Sequence, residues 1–520
     1  MNNAPMSDVL RGVNTSDCAS GEMRTWALQD LCDDFADLAK LTADRMAVLR
    51  GLRDELSRPG CSVPPWVWKE VSAGIRWLVK QYSVTAAELA EFARCSEGVL
   101  SRGLLADLTA ARRYVAEVLR TRQPLTAALL VAADWHSPSV AHSVHSTAGR
   151  YDGRVIAHHD DYKRDRHPDE AAWERRWVDE MVDNPHGHQL RALMTASGMA
   201  AFTTVLNHVA EQVGSRPVLM GAATYHECRE LLHGSTLGDQ IVAIPEGDFE
   251  AWRSAIVQAP GAVFFDSLCN AAGLPVADVE SLIGLLHQRG ERIFLVVDNT
   301  ARSVTLQPWA RLTVPTRLRL IVFESLTKYA QLGLDCTAGG LIVTDVDDAD
   351  RLDALRELLG TNITDVSVHQ LPRPDRSLLE RRLRRMGRNA QVVADTLNDR
   401  MVHGGFPVAL SYPGLPEHPN FASLSDSQFR GGYVSIEPLA ADIGAAMFPR
   451  LIKSILYIAA EREVPICEGT SFGFDTTRVY LIAATSRYGS PFLRIAAGTE
   501  HRAGIADVAS VLCDALETIA

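Results

Sequence analysis

The chain has 520 residues, 47% of them hydrophobic and 22% charged, with a formal net charge of −12. That length exceeds what one hydrophobic core supports, so two or three domains are expected, and the acidic balance argues against nucleic acid or an anionic membrane as partner. Nine scattered cysteines without a C-x-x-C pair, no long apolar run, and first residues lacking a signal-peptide pattern lead us to expect a cytoplasmic protein with reduced thiols and no metal site.

Residues 1 to 24 contain Asn, Ser and Gly and are expected to form a disordered tail. From 25 to about 150 the pattern is helical. Trp26, Leu28, Leu31, Phe35, Leu38 and Leu41 recur at three- and four-residue intervals, as do Leu104, Leu105, Leu108, Ala111, Tyr114, Val115 and Leu119. Arg58-Pro59-Gly60 through Pro64-Pro65 breaks this region, predicting at least two bundles of helices whose acids and histidines face solvent. The region carries no chemical motif of its own, and assembly or covering an active-site mouth is its expected role.

From 151 to about 345 short apolar runs alternate with amphipathic segments. Pro217–Met220, Ala262–Phe265, Ile293–Val297, Leu318–Phe323 and Gly340–Val343 read as buried strands. Phe202–Val213, Tyr225–Leu232 and Val279–Gln288 read as helices. This alternation predicts an α/β domain with a largely parallel sheet, in which ligands bind beyond the carboxyl ends of the strands. Residues 346 to 520 are expected to form a smaller α+β domain that opens with a helix over Leu378–Leu397.

Two strand ends carry chemistry. Glu324-Ser325-Leu326-Thr327-Lys328-Tyr329 follows one apolar run, and Val296-Val297-Asp298-Asn299 ends another. A lysine just past a buried strand, with hydroxyls one and three residues before it, suits a Schiff-base nucleophile beside a phosphate. An aspartate at a neighbouring strand end suits a partner for a protonated ring nitrogen. Together they suggest pyridoxal 5′-phosphate (PLP) as cofactor. Ser197-Gly198-Met199 opens a helix, where backbone N–H groups can bind the phosphate; a plain N-cap at Ser197 is the competing reading.

Further patches occur in order: Tyr162-Lys163-Arg164, Ala196 to Ala201, Asp266 to Asn270, Tyr412-Pro413-Gly414-Leu415 with Gly431 to Ser435, and Phe492 to Glu500. With the Asp298 and Lys328 patches, the set over about 150–520 resembles the Cys/Met-metabolism family of fold-type-I PLP enzymes, the cystathionine γ-synthase and γ-lyase group. The resemblance implies a mostly parallel seven-stranded sheet with helices on both faces, a small C-terminal α+β domain, and the N-terminal helices as an addition. It further implies Lys328 as the imine-forming base and Tyr225 stacked on the ring as an acid for the leaving group. Asn270 would sit near the phenolic oxygen, and Ser325 and Thr327 on the phosphate. Arg494, with Ser471 nearby, would clamp the substrate carboxylate. Tyr162 and Arg164 would reach the neighbouring subunit's phosphate, so a homodimer or homotetramer is expected.

The chain also departs from the family pattern. Tyr225 is followed by His226-Glu227-Cys228 where the family has a Gly-Gly-Thr-like run, which places titratable side chains beside the substrate pocket unless that turn faces solvent. The expected activity is γ-elimination or γ-replacement on an L-amino acid through a vinylglycine-type intermediate, in a specialised (secondary-metabolite) pathway. A β-lyase or aminotransferase on the same scaffold, or a non-catalytic relative acting as scaffold, stays open.

Overall fold

The computed structural model describes residues 21–57, 65–95, 102–134, 168–425, 427–483, 487 and 489–519. Three long helices open it: α1 (Gly21–Leu56), α2 (Pro65–Cys95) and α3 (Arg102–Asp134). Leu31, Phe35, Leu38 and Leu41 of α1 are buried, as are Leu108, Val115 and Leu119 of α3, while Tyr114 faces solvent. In place of separate bundles, all three helices pack on one another, because the apolar stripe of α1 is covered by α2 and α3 together. The first helix begins inside the expected tail, and the expected boundary near 150 lies outside the described residues.

A seven-stranded sheet follows, built from β1 (Leu190–Thr195), β2 (Val218–Gly221), β3 (Ile241–Ile244), β4 (Ala262–Asp266), β5 (Ile293–Asp298), β6 (Leu318–Ser325) and β7 (Gly340–Asp345). Its order is β1-β7-β6-β5-β4-β2-β3. The run from β6 to β3 is parallel, and β7 pairs antiparallel with both β6 and β1. Successive strand residues point to opposite faces. On one face Val263, Phe265, Leu295 and Val297 pack with α4 (Pro168–Met181), α7 (Phe249–Ile256) and α8 (Val279–Arg289). On the other, Phe264, Phe294, Val296 and Phe323 pack with α5 (Gly198–Val213) and α6 (His226–Gly234), joined by Leu352 of α9 (Val346–Leu359).

After the short α10 (Asp365–Gln370), the 29-residue α11 (Arg376–Gly404) crosses to a second, mixed sheet. Its five strands run β10 (Cys467–Glu468), β11 (Arg478–Ile482), β12 (Phe492–Ala496), β9 (Tyr433–Pro438) and β8 (Val408–Ser411). With α11, α12 (Ala441–Glu461) and α13 (Arg502–Leu516), this sheet encloses its own apolar core. No helix among the described residues is long and apolar enough to cross a membrane.

Glu22 and Asp54 of α1 are exposed as expected, but three of its other acids do not join a solvated face. Asp30, Asp34 and Asp37 recur at helical spacing and meet the arginines of α11. Asp30 accepts from Arg388 at 2.9 and 3.0 Å and from Arg502 at 2.8 Å, while Arg385 pairs with Asp34 and Arg381 with Asp37. Arg45, also from α1, donates to the carbonyls of His369 and Leu371 at 3.1 and 2.7 Å, where the α10 dipole favours a cation. The helical region is therefore fastened to the rest of the chain by buried charge as well as by apolar packing.

Candidate active site

Asp298 and Lys328 come together because the sheet is parallel across β4, β5 and β6. Asp266 and Asp298 stand in register at the carboxyl ends of β4 and β5, and Lys328 follows the end of β6. Thr300 ties these ends together. Its N–H donates to Asp298 Oδ1 at 2.8 Å, and its hydroxyl accepts from the Ser325 N–H at 2.9 Å.

The start of α5 closes one side. Ser197 is its N-cap, with Oγ accepting from the Ala200 N–H at 3.0 Å, which leaves the first-turn N–H groups of Gly198 and Met199 as the ones that could meet an anion. A Cβ on Gly198 would come within 2.7 Å of Ser325 Cβ, so only glycine lets this helix end lie so close to the β6 turn. There Ser325 Oγ and Thr327 Oγ1 are 2.7 Å apart. Tyr225 precedes α6, its N–H held at 2.9 Å by Asp266 Oδ2.

The second sheet supplies the far wall. Lys328 Nζ donates to Ser471 Oγ at 2.6 Å. Arg494, on β12, donates to Asn270 Oδ1 at 3.0 Å and to the Ser471 carbonyl at 2.7 Å. Ser471 sits at φ 71° and Gly473 at φ 93°, and a Cβ on Gly473 would lie 2.8 Å from the Lys328 carbonyl carbon. That close approach is why glycine occupies 473. The Phe472 ring lies 5.4 Å from both Lys328 Nζ and Arg494 Cζ.

Apart from Ala200 and Gly473, these residues line one cavity of about 680 Å³. Of the residues singled out from sequence, Ser197, Gly198, Met199, Tyr225, His226, Glu227, Asn270, Asp298, Ser325, Thr327, Lys328, Ser471 and Arg494 share it. Tyr162 and Arg164 lie outside the described residues. The turn after Tyr225 does face the cavity, although Glu227 is exposed at its mouth. Asp266, Phe472 and Tyr433, which the sequence motifs contain without assigning them a role, also line it, as does Thr300, which no motif includes. Asp266 had a usable signal, since an aspartate ending the apolar run beside the Asp298 run predicts a matching strand end. The positions of Tyr433 and Phe472 depend on packing between the two sheets.

Burial sets the electrostatics. It lowers Lys328 to about 8, helped by Arg494 and opposed by Asp298. Arg494 is lowered by burial to about 10, and among the described residues no carboxylate lies within ion-pair distance of it. Asp298 and Asp266 are both raised by burial, and Asp298 adds to the rise at Asp266. Burial also raises the Tyr225 phenol above its ordinary 10, with Glu227 adding to the effect. The cavity thus holds a deprotonation-prone amine, and among the described residues neither its guanidinium nor its Asp266 and Asp298 carboxyls stand in an ion pair.

These residues fit PLP: a glycine-opened helix start and two hydroxyls for a phosphate, a buried carboxyl, and an amine whose neutral form burial favours. Sequence comparison agrees. The profile of the family described as Cys/Met metabolism PLP-dependent enzyme matches residues 139–442. The chain belongs to that family. It is 27% identical over 320 residues to the bifunctional enzyme flvA of Aspergillus flavus, a match covering 60% of this chain and 37% of that longer protein. It is also 27% identical over 329 residues to the L-methionine gamma-lyase of Brevibacterium aurantiacum, covering 62% of this chain and 73% of the relative. In fold it is similar to cystathionine gamma synthase from Xanthomonas oryzae pv. oryzae, with a TM-score of 0.57 at 19% identity over 71% of this chain and 91% of the other.

Proposed function

We propose that the protein binds PLP through Lys328 and catalyses elimination or replacement at Cγ of an L-amino acid with a γ leaving group. When bound, the cofactor supplies an electron sink for the charge left at the substrate carbon. The observation carrying this reading is that Lys328 and Asp298 line one cavity with an unpaired buried arginine. Gly198 and Met199 N–H groups, with Ser325 and Thr327, would hold the phosphate, and Asp298 the ring nitrogen. Asn270 would stay near the phenolic oxygen.

Arg494 binds the substrate carboxylate, a fork-to-carboxylate pairing that a lysine could not replace. Lys328, neutral above about pH 8, takes the proton from Cα and then moves a proton at Cβ. Tyr225 stays protonated because burial raises its phenol, so it can donate a proton to the departing γ-substituent. His226 and Glu227 act at the mouth, where they select the substituent. Those side chains, together with the added helices, support a specialised, secondary-metabolite role. Tyr162 and Arg164 would complete the neighbouring subunit's site, making the working form a homodimer or homotetramer in the cytoplasm.

The test is spectroscopic and chemical. Purified protein should absorb near roughly 420 nm, lose that band in Lys328→Ala, and yield 2-oxo acid or a Cγ-substituted product from γ-substituted amino acids. Loss of a β-substituent alone would turn the reading to a β-lyase, and amino transfer alone to an aminotransferase. A colourless protein would turn it to a scaffold.

A further inference from the structure

The loop between β10 and β11 carries Ser471, which touches both Lys328 and Arg494. Four residues later the same loop places Asp475 in a buried polar cluster. Asp475 Oδ1 accepts from Arg382 of α11 at 2.7 Å, from Thr499 Oγ1 at 3.2 Å, and lies 3.1 Å from Arg112 Nη2. Arg112 comes from α3, in the helical region that precedes the family match. Its other contacts are Thr499 Oγ1 at 2.9 Å and Asp34 Oδ2 at 3.2 Å. Burial alone would raise Asp475, yet Arg112 and Arg382 hold it well below the usual carboxylate range. About two helical turns further along α3, Arg120 donates to the Gly333 carbonyl at 3.3 Å, in the segment that follows Lys328. A Cβ on Gly333 would fall 2.5 Å from Asp475 Oδ1, so this segment and the Ser471 loop press on the same ion pair.

We propose that Arg112 is a positioning residue: through Asp475 it fixes the Ser471 loop, and so sets Arg494 and Lys328 for a carboxylate-bearing substrate. The helical addition is then part of how the site recognises an amino acid. The carboxylate role of Arg494 is taken from the function proposed above, on which this inference rests. A buried ion pair that only glued two regions together would affect stability and leave ligand preference alone. One that holds a loop alters binding of whatever that loop positions.

The experiment uses the full chain, loaded with PLP, as wild type, Arg112→Met, Arg112→Lys and Asp475→Asn. Two probes are titrated by the change in cofactor absorbance: L-norleucine, and pentylamine, which has the same chain without the carboxylate. In Arg112→Met and Asp475→Asn, L-norleucine should bind about tenfold more weakly while pentylamine binds as before. Arg112→Lys should recover part of the loss, since one ammonium reaches Asp475 but cannot span Asp34 and Thr499 as well. Amide hydrogen exchange should quicken across 469–477 while α1 to α3 stay protected. Equal weakening for both probes, or none, with unchanged exchange in that loop, overturns the proposal. Should Arg112→Met fail to fold, Asp475→Asn decides alone by the same ratio. Should the wild type bind no cofactor, the proposed function fails, and hydrogen exchange still decides whether Arg112 holds the loop.

Discussion

Two buried charged clusters flank the loop that carries Ser471, and they are built on opposite plans. At the carboxyl end of the large sheet, Lys328, Arg494, Asp266 and Asp298 are displaced from their ordinary pKa values chiefly by burial, with little counter-charge. In the seam between the N-terminal helices and α11, Asp30 and Asp475 are just as enclosed but are held low by surrounding arginines, while Asp34 is raised by burial against the pull of Arg112 and Arg385. A buried charge without a partner is costly and persists where a ligand will supply the partner. A buried charge with hydrogen-bonded partners fixes where two pieces of chain meet. On the function proposed here the first cluster is the candidate site, and the second holds its walls.

Breaking each cluster should therefore fail in a different currency. The largest effect is expected from Lys328→Ala: loss of the cofactor band and a fall in turnover on the order of 10³-fold or more, with thermal unfolding little changed. Retained turnover would remove Lys328 from the chemistry. Next is Asp30→Ala, which strips a shared acceptor from Arg388 and Arg502 and should cost about 3 kcal/mol of stability. Its melting temperature should drop, while KM for amino acids stays near that of the wild type. A raised KM with unchanged melting would reverse the assignment of the two clusters.

The same contrast explains what could be read in the sequence. Lys328 and Asp298 were legible because each ends an apolar run, and a parallel sheet brings such ends together by register alone. The seam was not legible. The spacing of Asp30, Asp34 and Asp37 is equally that of a solvated helix face, and the decisive partner of Asp30 is Arg388, 358 residues away. The strands β1 and β3 were missed for a local reason. Leu190–Thr195 begins with only partly buried residues, and Ile241–Ile244 at the sheet edge exposes two of its four positions. Glu324 shows the opposite case, a buried acid within the most informative motif that faces away from the cavity and is held by Ser303 Oγ at 2.9 Å.

Smaller changes sharpen the comparison within the site. Arg494→Lys keeps the charge but loses the planar fork, so KM for amino acids should rise about thirtyfold, or ~2 kcal/mol, with kcat less affected. An unchanged KM would show that the carboxylate binds elsewhere in the cavity.

The smallest expected effect is a shift in pH dependence. The nucleophile toward the cofactor aldehyde is the neutral Lys328 amine, so the rate at which apo-protein recovers its absorbance should climb with pH and level off above about 8. An ordinary lysine would keep climbing toward 10.5. Apo-protein stability carries the same sign: below about 8 only the buried amine's cost is felt, and between 8 and 10.5 the unfolded chain binds more protons, so stability rises with pH. Ser471 Oγ accepts from Lys328 at 2.6 Å, a bond worth more to the ammonium than to the amine. Ser471→Ala should therefore move the levelling-off a few tenths of a pH unit lower, while the backbone carbonyl at 471 still holds Arg494. A shift upward would mean that the hydroxyl serves the neutral amine, and that the far wall favours proton removal more than the geometry of Lys328 alone implies.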